Sequence, residues 1–160
     1  MGAIRDRAGE EFRTLSGEPM AIQYLPSVEG AALEDAFRAR LAERRGDELV
    51  RRTTLVGPHR DDLGLSIQGL AARGFASHGE CWAAAVCLRL ALSGAVGDEQ
   101  AEPPITLLDD PFSGLDPGRR RRLANGLEGR GQVVIAVPED PDLVPGAVVW
   151  RVEGGRVVTS

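Results

Sequence analysis

Two kinds of apolar pattern occur along this chain, and each predicts a different element. Short runs of apolar and β-branched residues that stop at Pro, Gly or Asp are typical of strands. The first 20 residues are polar and weakly patterned. The predicted strands are Ala21–Leu25, Thr53–Val56, Leu63–Ile67, Ile105–Leu108, Gln132–Val137, Ala147–Val152 and Arg156–Thr159.

Longer segments carry the period of a helix. Apolar residues recur every four positions from Leu33 to Leu41 and predict an amphipathic helix over Leu33–Arg45 that ends at Gly46. Glu80–Leu92 is apolar on nearly every side, which predicts a buried helix. Pro117 opens a further helix at its favoured first-turn position. The order strand, helix, strand in the second half predicts an α/β fold with parallel crossovers, closed by a β-hairpin at the end.

Composition narrows the class of protein. A chain of 160 residues suits one domain or one lobe, and 42% hydrophobic with 27% charged residues is a globular profile. No apolar run approaches the about 20 residues that a membrane-spanning helix needs. The first ten residues contain no apolar core of a secretory signal. The net charge of -5 means that any contact with nucleic acid must be local.

The types of basic residue and cysteine exclude several chemistries. All 19 basic residues are Arg, so the chain has neither the Lys of a Walker A phosphate loop nor an amine for Schiff-base chemistry. In the predicted buried helix, Cys81 and Cys87 lie about 9 Å apart at ~1.5 Å per residue, too far for a disulfide. Both are predicted to be reduced core residues. Two Cys and two His at scattered spacing match no zinc site.

Two carboxylates at the end of a predicted strand carry the clearest chemical signal. Asp109 and Asp110 directly follow Ile105–Leu108, at the edge where α/β sheets bind ligands. The first carboxylate suits Mg²⁺ and the second suits an attacking water. The alternative is that two acids merely close a strand before Pro111.

A second signal precedes the buried helix. Ser77 and Gly79 offer a hydroxyl and free N–H groups at a positive helix end, which together form an anion site. The alternative is that Ser77 caps the helix and Glu80 completes a capping box. The two interpretations are compatible, because a cap can also face a phosphate.

These segments, in this order, resemble three motifs of the ABC-type ATPases. Ser77–Glu80 resembles the signature, Leu107–Asp110 the Walker B motif, and Ser113–Asp116 the D-loop. Gly57–Leu63 is similar to a segment of the RecF family of DNA repair ATPases. We refer to Ser77–Glu80 as the signature turn and to Ser113–Asp116 as the D-loop turn.

The resemblance covers roughly residues 20–160 and implies an architecture. It implies an ABC-ATPase-like lobe with a mainly parallel sheet flanked by helices and a closing β-hairpin. Residues 1–50 are expected to form part of a helical arm segment. Residues 51–160 are expected to form the carboxyl-terminal ATPase subdomain.

The resemblance also implies roles for single residues in a dimer that holds two ATP molecules. Asp109 holds Mg²⁺, and Asp110 is the catalytic residue that orients water. The signature turn, through Ser77, Gly79 and Glu80, binds the nucleotide across the homodimer, and Asp116 couples the two sites. A separate Walker A lobe has to complete the site, and the isolated chain is expected neither to bind ATP tightly nor to hydrolyse it.

This sequence departs from the family pattern at two positions, and its partners are implied only by the resemblance. Glu80 stands where Gln is common, and residues 136–139 lack the His of a switch loop.

The resemblance implies partners as well. They are DNA, at single-strand/double-strand junctions, and the proteins RecR and RecO, in the cytoplasm and without a membrane. Arg60 is a candidate DNA contact, in a segment that is otherwise a structural turn. Arg119–Arg122 spread around a helix and cannot form one patch, so a solvated helix is predicted in preference to a DNA-binding site.

Two other classes of function remain open. The chain could be a dimerisation or partner-binding module that hydrolyses nothing. It could also be a metal-dependent hydrolase using Asp61, Asp62, Asp109 and Asp110, although these acids lack a His or Glu cluster with ligand spacing.

Overall fold

The computed structural model describes residues 2–138, residue 144 and residues 146–159. The helices in these ranges are α1 (Gly2–Ser16), α2 (Leu33–Arg51), the single turn α3 (Ala72–Phe75), α4 (His78–Gln100) and α5 (Pro117–Gly126). The strands are β1 (Met20–Leu25), β2 (Asp62–Ile67), β3 (Leu70–Ala71), β4 (Thr106–Asp109), β5 (Val133–Ala136), β6 (Trp150–Glu153) and β7 (Arg156–Thr159).

Helix α1 lies in the segment that the sequence pattern left without an element. Ala8, Phe12 and Leu15 are buried on one side of it and pack against α4. Their spacing of four and three is helical. However, three apolar residues among many polar ones give only a weak helical pattern in the sequence. Thus α1 covers the core helix and also contacts β1 and α5.

Helix α2 is longer than expected, and the region after it contains no strand. Gly46 lies inside α2, which runs on to Arg51, because a single Gly in a helix costs only about 1 kcal/mol. The strand predicted over Thr53–Val56 is wrong. This segment is an irregular connection instead, and the buried Glu48 carboxylate accepts a hydrogen bond from the Leu55 N–H group at 2.8 Å.

Strands β1, β2 and β3 form an antiparallel sheet in that order. Met20 pairs with Ile67 and Leu25 with Asp62, which confirms the strands predicted at both segments. The alternation in β1 buries Met20 and Ile22 toward the core formed by α1 and α4. A period of two in a half-buried strand produces this arrangement.

Helix α4 is the core helix and extends to Gln100, eight residues beyond the predicted end at Leu92. Its buried positions are Ala83, Ala84, Val86, Cys87, Leu90 and Ala91. Burial raises the pKa of the Cys87 thiol to about 12, whereas Cys81 is exposed, so its assignment to the core is wrong. By length and hydropathy α4 is the candidate bilayer-spanning helix among the described residues. In this fold its apolar face packs against α1.

The second half contains the predicted crossover. Strand β4, helix α5 and strand β5 follow one another, and β4 pairs with β5 in parallel. Leu108 and Ile135 point toward the core, where Leu123 and Ala124 of α5 are also buried. β6 and β7 then form an antiparallel hairpin. The fold is α/β, with its parallel pairing between β4 and β5 and a closing hairpin.

Candidate functional site

The two candidate carboxylates lie at the carboxyl end of β4, as predicted. Asp109 is the last residue of the strand and stands opposite Ala136 of β5. Asp110 follows it, and its N–H group donates to the Ala136 carbonyl at 2.8 Å. Its backbone has a φ of 45°, a left-handed conformation that Asp tolerates better than most residues. The chain therefore turns sharply at Asp110.

Neither of these carboxylates has a partner inside the part of the chain that the structure describes. Asp109 is exposed and Asp110 half-buried, and no hydrogen bond or ion pair to either side chain occurs among residues 2–138, 144 and 146–159. Within the same ranges, no group of three or more His, Cys, Asp or Glu could hold a metal. One or two carboxylates do suit Mg²⁺ when phosphate and water supply its other ligands. Asp109 fits that role.

The loop after Asp110 is fixed to the start of α4. Pro111, Phe112 and Leu115 are buried. The indole N–H of Trp82 in α4 donates to the Pro111 carbonyl at 3.0 Å. This anchoring leaves the polar residues of the D-loop turn on the surface.

The signature turn forms the predicted capping box at the start of α4. The N–H group of Glu80 donates to Ser77 Oγ at 3.3 Å, and Glu80 Oε2 accepts from the Ser77 N–H at 2.7 Å and its hydroxyl at 2.6 Å. These hydrogen bonds from Ser77 lower the pKa of Glu80. Ser77 lies just before the helix rather than inside it, as expected for an N-cap residue.

Asp116 has a corresponding place at the start of α5. Its Oδ1 accepts from the N–H groups of Gly118 at 2.9 Å and Arg119 at 3.0 Å, and Pro117 fills the first helical position. The N–H group of Arg119 is the main cause of the lowered pKa of Asp116. The carboxylate is half-exposed, so it also remains accessible from outside.

The signature turn and the D-loop turn are in direct contact. A methyl group at Gly79 would lie only 2.8 Å from the carbonyl oxygen of Gly114, so nothing larger than Gly fits there without movement. Arg119 lies beside the same point, with its side chain 19% exposed. Sequence reasoning missed this contact and the burial of Arg119 beside it. The available signal was a Gly in each of two polar turns that flank apolar elements.

The basic residues named in the sequence are mostly engaged inside the fold. Arg60 donates from Nε at 3.0 Å, and also from Nη2, to the Thr54 carbonyl, which stabilises its turn. Arg120 donates to the Leu115 carbonyl at 2.8 Å and Arg122 to the Leu15 carbonyl at 2.6 Å.

Several known proteins are similar to this chain in sequence. No protein-family model matches the chain. The chain is 42% identical over 150 residues to the DNA replication and repair protein RecF of Streptomyces avermitilis, and 46% identical over 170 residues to that of Leifsonia xyli subsp. xyli. The alignments cover 91% and 92% of this chain. The resemblance to the carboxyl-terminal part of RecF is confirmed. The RecF-like chain spans only 39% and 44% of the length of these two relatives.

Solved structures agree with the sequence comparison. The structure of the recombination mediator protein RecF-ATP in the RecFOR pathway matches with a TM-score of 0.74 and 27% identity, over 99% of this chain and 44% of that one. An SMC ATPase studied for ATP-driven dimerisation matches with a TM-score of 0.58 and 14% identity, over 84% of its own chain. The latter shows a shared fold. The RecF-like chain thus has the ABC-type ATPase fold that its motifs implied.

Proposed function

We propose that the chain supplies the signature, Walker B and D-loop to a dimeric ATP sandwich, as part of an ATP-dependent DNA-binding protein of recombinational repair and replication. One observation carries the proposal. The strand-end pair Asp109–Asp110 continues into a loop that packs against the first turns of α4, where Ser77 caps the helix. Carboxylates for a cation and a helix start for an anion therefore belong to one connected region.

The proposed roles follow from the chemistry of each group. Asp109 helps to hold Mg²⁺, which when bound neutralises charge on the phosphates. Asp110 orients the attacking water. Ser77 and Gly79 of the signature turn, with Glu80, face the γ-phosphate of ATP held by the other protomer.

The D-loop turn has a proposed role between the two sites. Asp116 both begins α5 and remains half-exposed, so a partner protomer can reach it. We infer that Asp116 couples the two ATP sites of the homodimer.

The proposed partners rest on the relatives. The curated relatives are named DNA replication and repair proteins, and the solved relative is a recombination mediator studied with ATP. We infer a Walker A lobe as the partner that completes the ATP site, and a homodimer in the ATP state. DNA at single-strand/double-strand junctions, RecR and RecO complete the proposed set, in the cytoplasm.

Mixing the chain with a Walker A lobe tests this function. The amino-terminal lobe of a RecF relative, added in trans with ATP, Mg²⁺ and DNA, is expected to give ATP turnover that neither part gives alone. Calorimetry on the isolated chain with ATP and Mg²⁺ is expected to show no tight binding, because the chain has no Walker A loop. Turnover that is absent from a mixture shown to form a stable complex contradicts the proposal.

An exposed apolar surface favours a second candidate function. Leu107 of β4 and Val134 of β5 stand opposite each other and are exposed, on the face away from the core. A dimerisation or partner-binding module without hydrolysis fits this surface. Complex formation in the same mixture without turnover supports it.

The metal-dependent hydrolase is the weakest of the three. Asp61 already accepts hydrogen bonds from the Tyr24 hydroxyl and the Ser27 N–H group. Asp62 is paired across β1 and β2 with Leu25 and lies near Arg73. Neither acid is in a group of three metal-binding side chains among the described residues.

A further inference from the structure

The contact between the signature turn and the D-loop turn suggests that the positions of these two ATP-facing motifs depend on each other within one protomer. This inference rests on the proposed function for the identity of the ligand. Gly79 and Gly114 meet so closely that a Cβ on Gly79 would be 2.8 Å from the Gly114 carbonyl oxygen, and a Cβ on Gly114 would be 3.5 Å from the ring of His78. A displacement of either turn must therefore displace the other or open a gap between them.

Arg119 lies at this junction, paired with one turn and close to the other. Its Nε is 3.6 Å from Asp116 Oδ2 of the D-loop turn. Its Nη1 is 3.8 Å from the point where a Cβ on Gly79 would stand, in the signature turn. The side chain is mostly buried, so solvent screens its charge less than on an open surface.

The charges around Arg119 explain why a cation belongs there. Glu80 closes the capping box of α4, and Asp116 caps α5, so each helix start places a carboxylate near the junction. The Arg119 charge contributes to the lowered pKa of both carboxyl groups, after the hydrogen bonds that each accepts. Without the guanidinium, both carboxylates would lose a nearby positive charge.

We propose that Arg119 is a positioning residue that holds the signature turn and the D-loop turn in one arrangement. Phosphate that binds at the signature turn then also affects the position of the D-loop turn in the same protomer. The guanidinium suits this task because it always carries its charge, and its Nε and Nη1 atoms lie toward the D-loop turn and the signature turn respectively. Arg121 on the same helix is exposed and has no hydrogen bond or ion pair among the described residues. It provides a matched control.

Hydrogen exchange on the 160-residue chain tests the structural half without any nucleotide. Arg119→Ala is expected to speed amide exchange in both turns together by about 2- to 30-fold, the range of coupling energies in such networks. Arg121→Ala is expected to leave both turns unchanged. Faster exchange confined to the D-loop turn would show that Arg119 serves only Asp116, and it would overturn the proposal. If Arg119→Ala does not fold, Arg119→Lys and Arg119→Gln replace it, and only the Lys variant is expected to retain protection of both turns.

Turnover in the complex with a Walker A lobe tests the functional half. Arg119→Ala is expected to reduce the Hill coefficient for ATP toward 1 while the thermal midpoint of the complex stays near that of Arg121→Ala. Arg119→Lys is expected to recover part of the cooperativity, which a loss of stability alone would not produce. Unchanged cooperativity in Arg119→Ala would overturn the proposal. A wild-type complex without turnover would defeat the proposed function instead, and the exchange experiment would still decide the role of Arg119.

Discussion

The region of the signature turn and the D-loop turn, with the helices α4 and α5 that follow them, is stabilised differently from helix α2. Both helices that start at the turns are capped by side chains, and α4 buries a full apolar face. α2 has no side-chain cap, and Glu48 is its one buried residue. Its charged residues instead pair with each other along the exposed surface, as Arg40 and Glu43 do. Packing and capping thus fix the candidate site, whereas local helix propensity and surface pairs maintain α2.

The largest expected effect concerns the chemistry of the site. In the complex with a Walker A lobe, Asp110→Asn is expected to slow turnover by about 10²- to 10⁴-fold, because an amide cannot take the proton from water. It should also prolong the ATP-bound dimer, since one negative charge near the γ-phosphate is removed. Asn tolerates the left-handed backbone at this position, so the fold should persist.

Asp47→Asn in α2 provides the control for Asp110→Asn. Asp47 pairs with Arg44 at 2.8 Å on the exposed surface, and such pairs contribute little to stability. Turnover and dimer lifetime should match those of the parent. Unchanged turnover in Asp110→Asn would leave that residue as an acid that simply ends a strand.

Truncating one apolar side chain of the core around α4 and one of α2 compares the packing of the two. Phe12→Ala is expected to lower the free energy of unfolding by about 3–5 kcal/mol, because Phe12 is fully buried against α4. Leu41→Ala in α2 is expected to cost far less, since 42% of Leu41 is exposed. Denaturant unfolding of both variants measures the difference. Equal losses would mean that α2 is packed as tightly as the core.

The prediction of the site from sequence succeeded where two independent signals agreed. The apolar run before Asp109 forms a strand that ends there, which is a local pattern. The capping box of Ser77 and Glu80 is likewise formed by neighbouring residues. α1 was missed because its stripe of three buried residues is narrow, and α2 was cut short because Gly46 was treated as a terminator. The pairing of Arg119 with Asp116 is local, but its position beside Gly79 could not be found from sequence, because tertiary packing brings these two residues together.

Adding a methyl group to one Gly in each region should change stability in opposite directions. Gly79→Ala forces a Cβ against the Gly114 carbonyl and is expected to cost about 1–3 kcal/mol. Gly46→Ala lies inside α2 with nothing within 4 Å of the new methyl, so it is expected to stabilise by about 0.5–1 kcal/mol. Thermal unfolding of the two variants measures both signs. Stabilisation by Gly79→Ala would contradict the close contact between the turns.

The smallest expected effect is the acid dependence of the cap on α4. The pKa of Glu80 is held below its ordinary 4.5, first by hydrogen bonds from Ser77 and then, less strongly, by Arg119 and Glu18. The unfolded chain therefore binds a proton at this carboxyl more readily than the folded chain does. The stability that Glu80 contributes is fully present above about pH 4.5 and is lost as the pH falls through its lowered pKa in the folded state.

Glu80→Gln should accordingly be less stable than the parent near pH 6, and the difference should shrink in acid. Urea unfolding at several pH values measures this difference. Glu34→Gln, which removes a mostly exposed pair with Arg38 in α2, should change stability little near pH 6. A constant difference between Glu80→Gln and the parent down to pH 3 would mean that the carboxylate charge has no part in the cap.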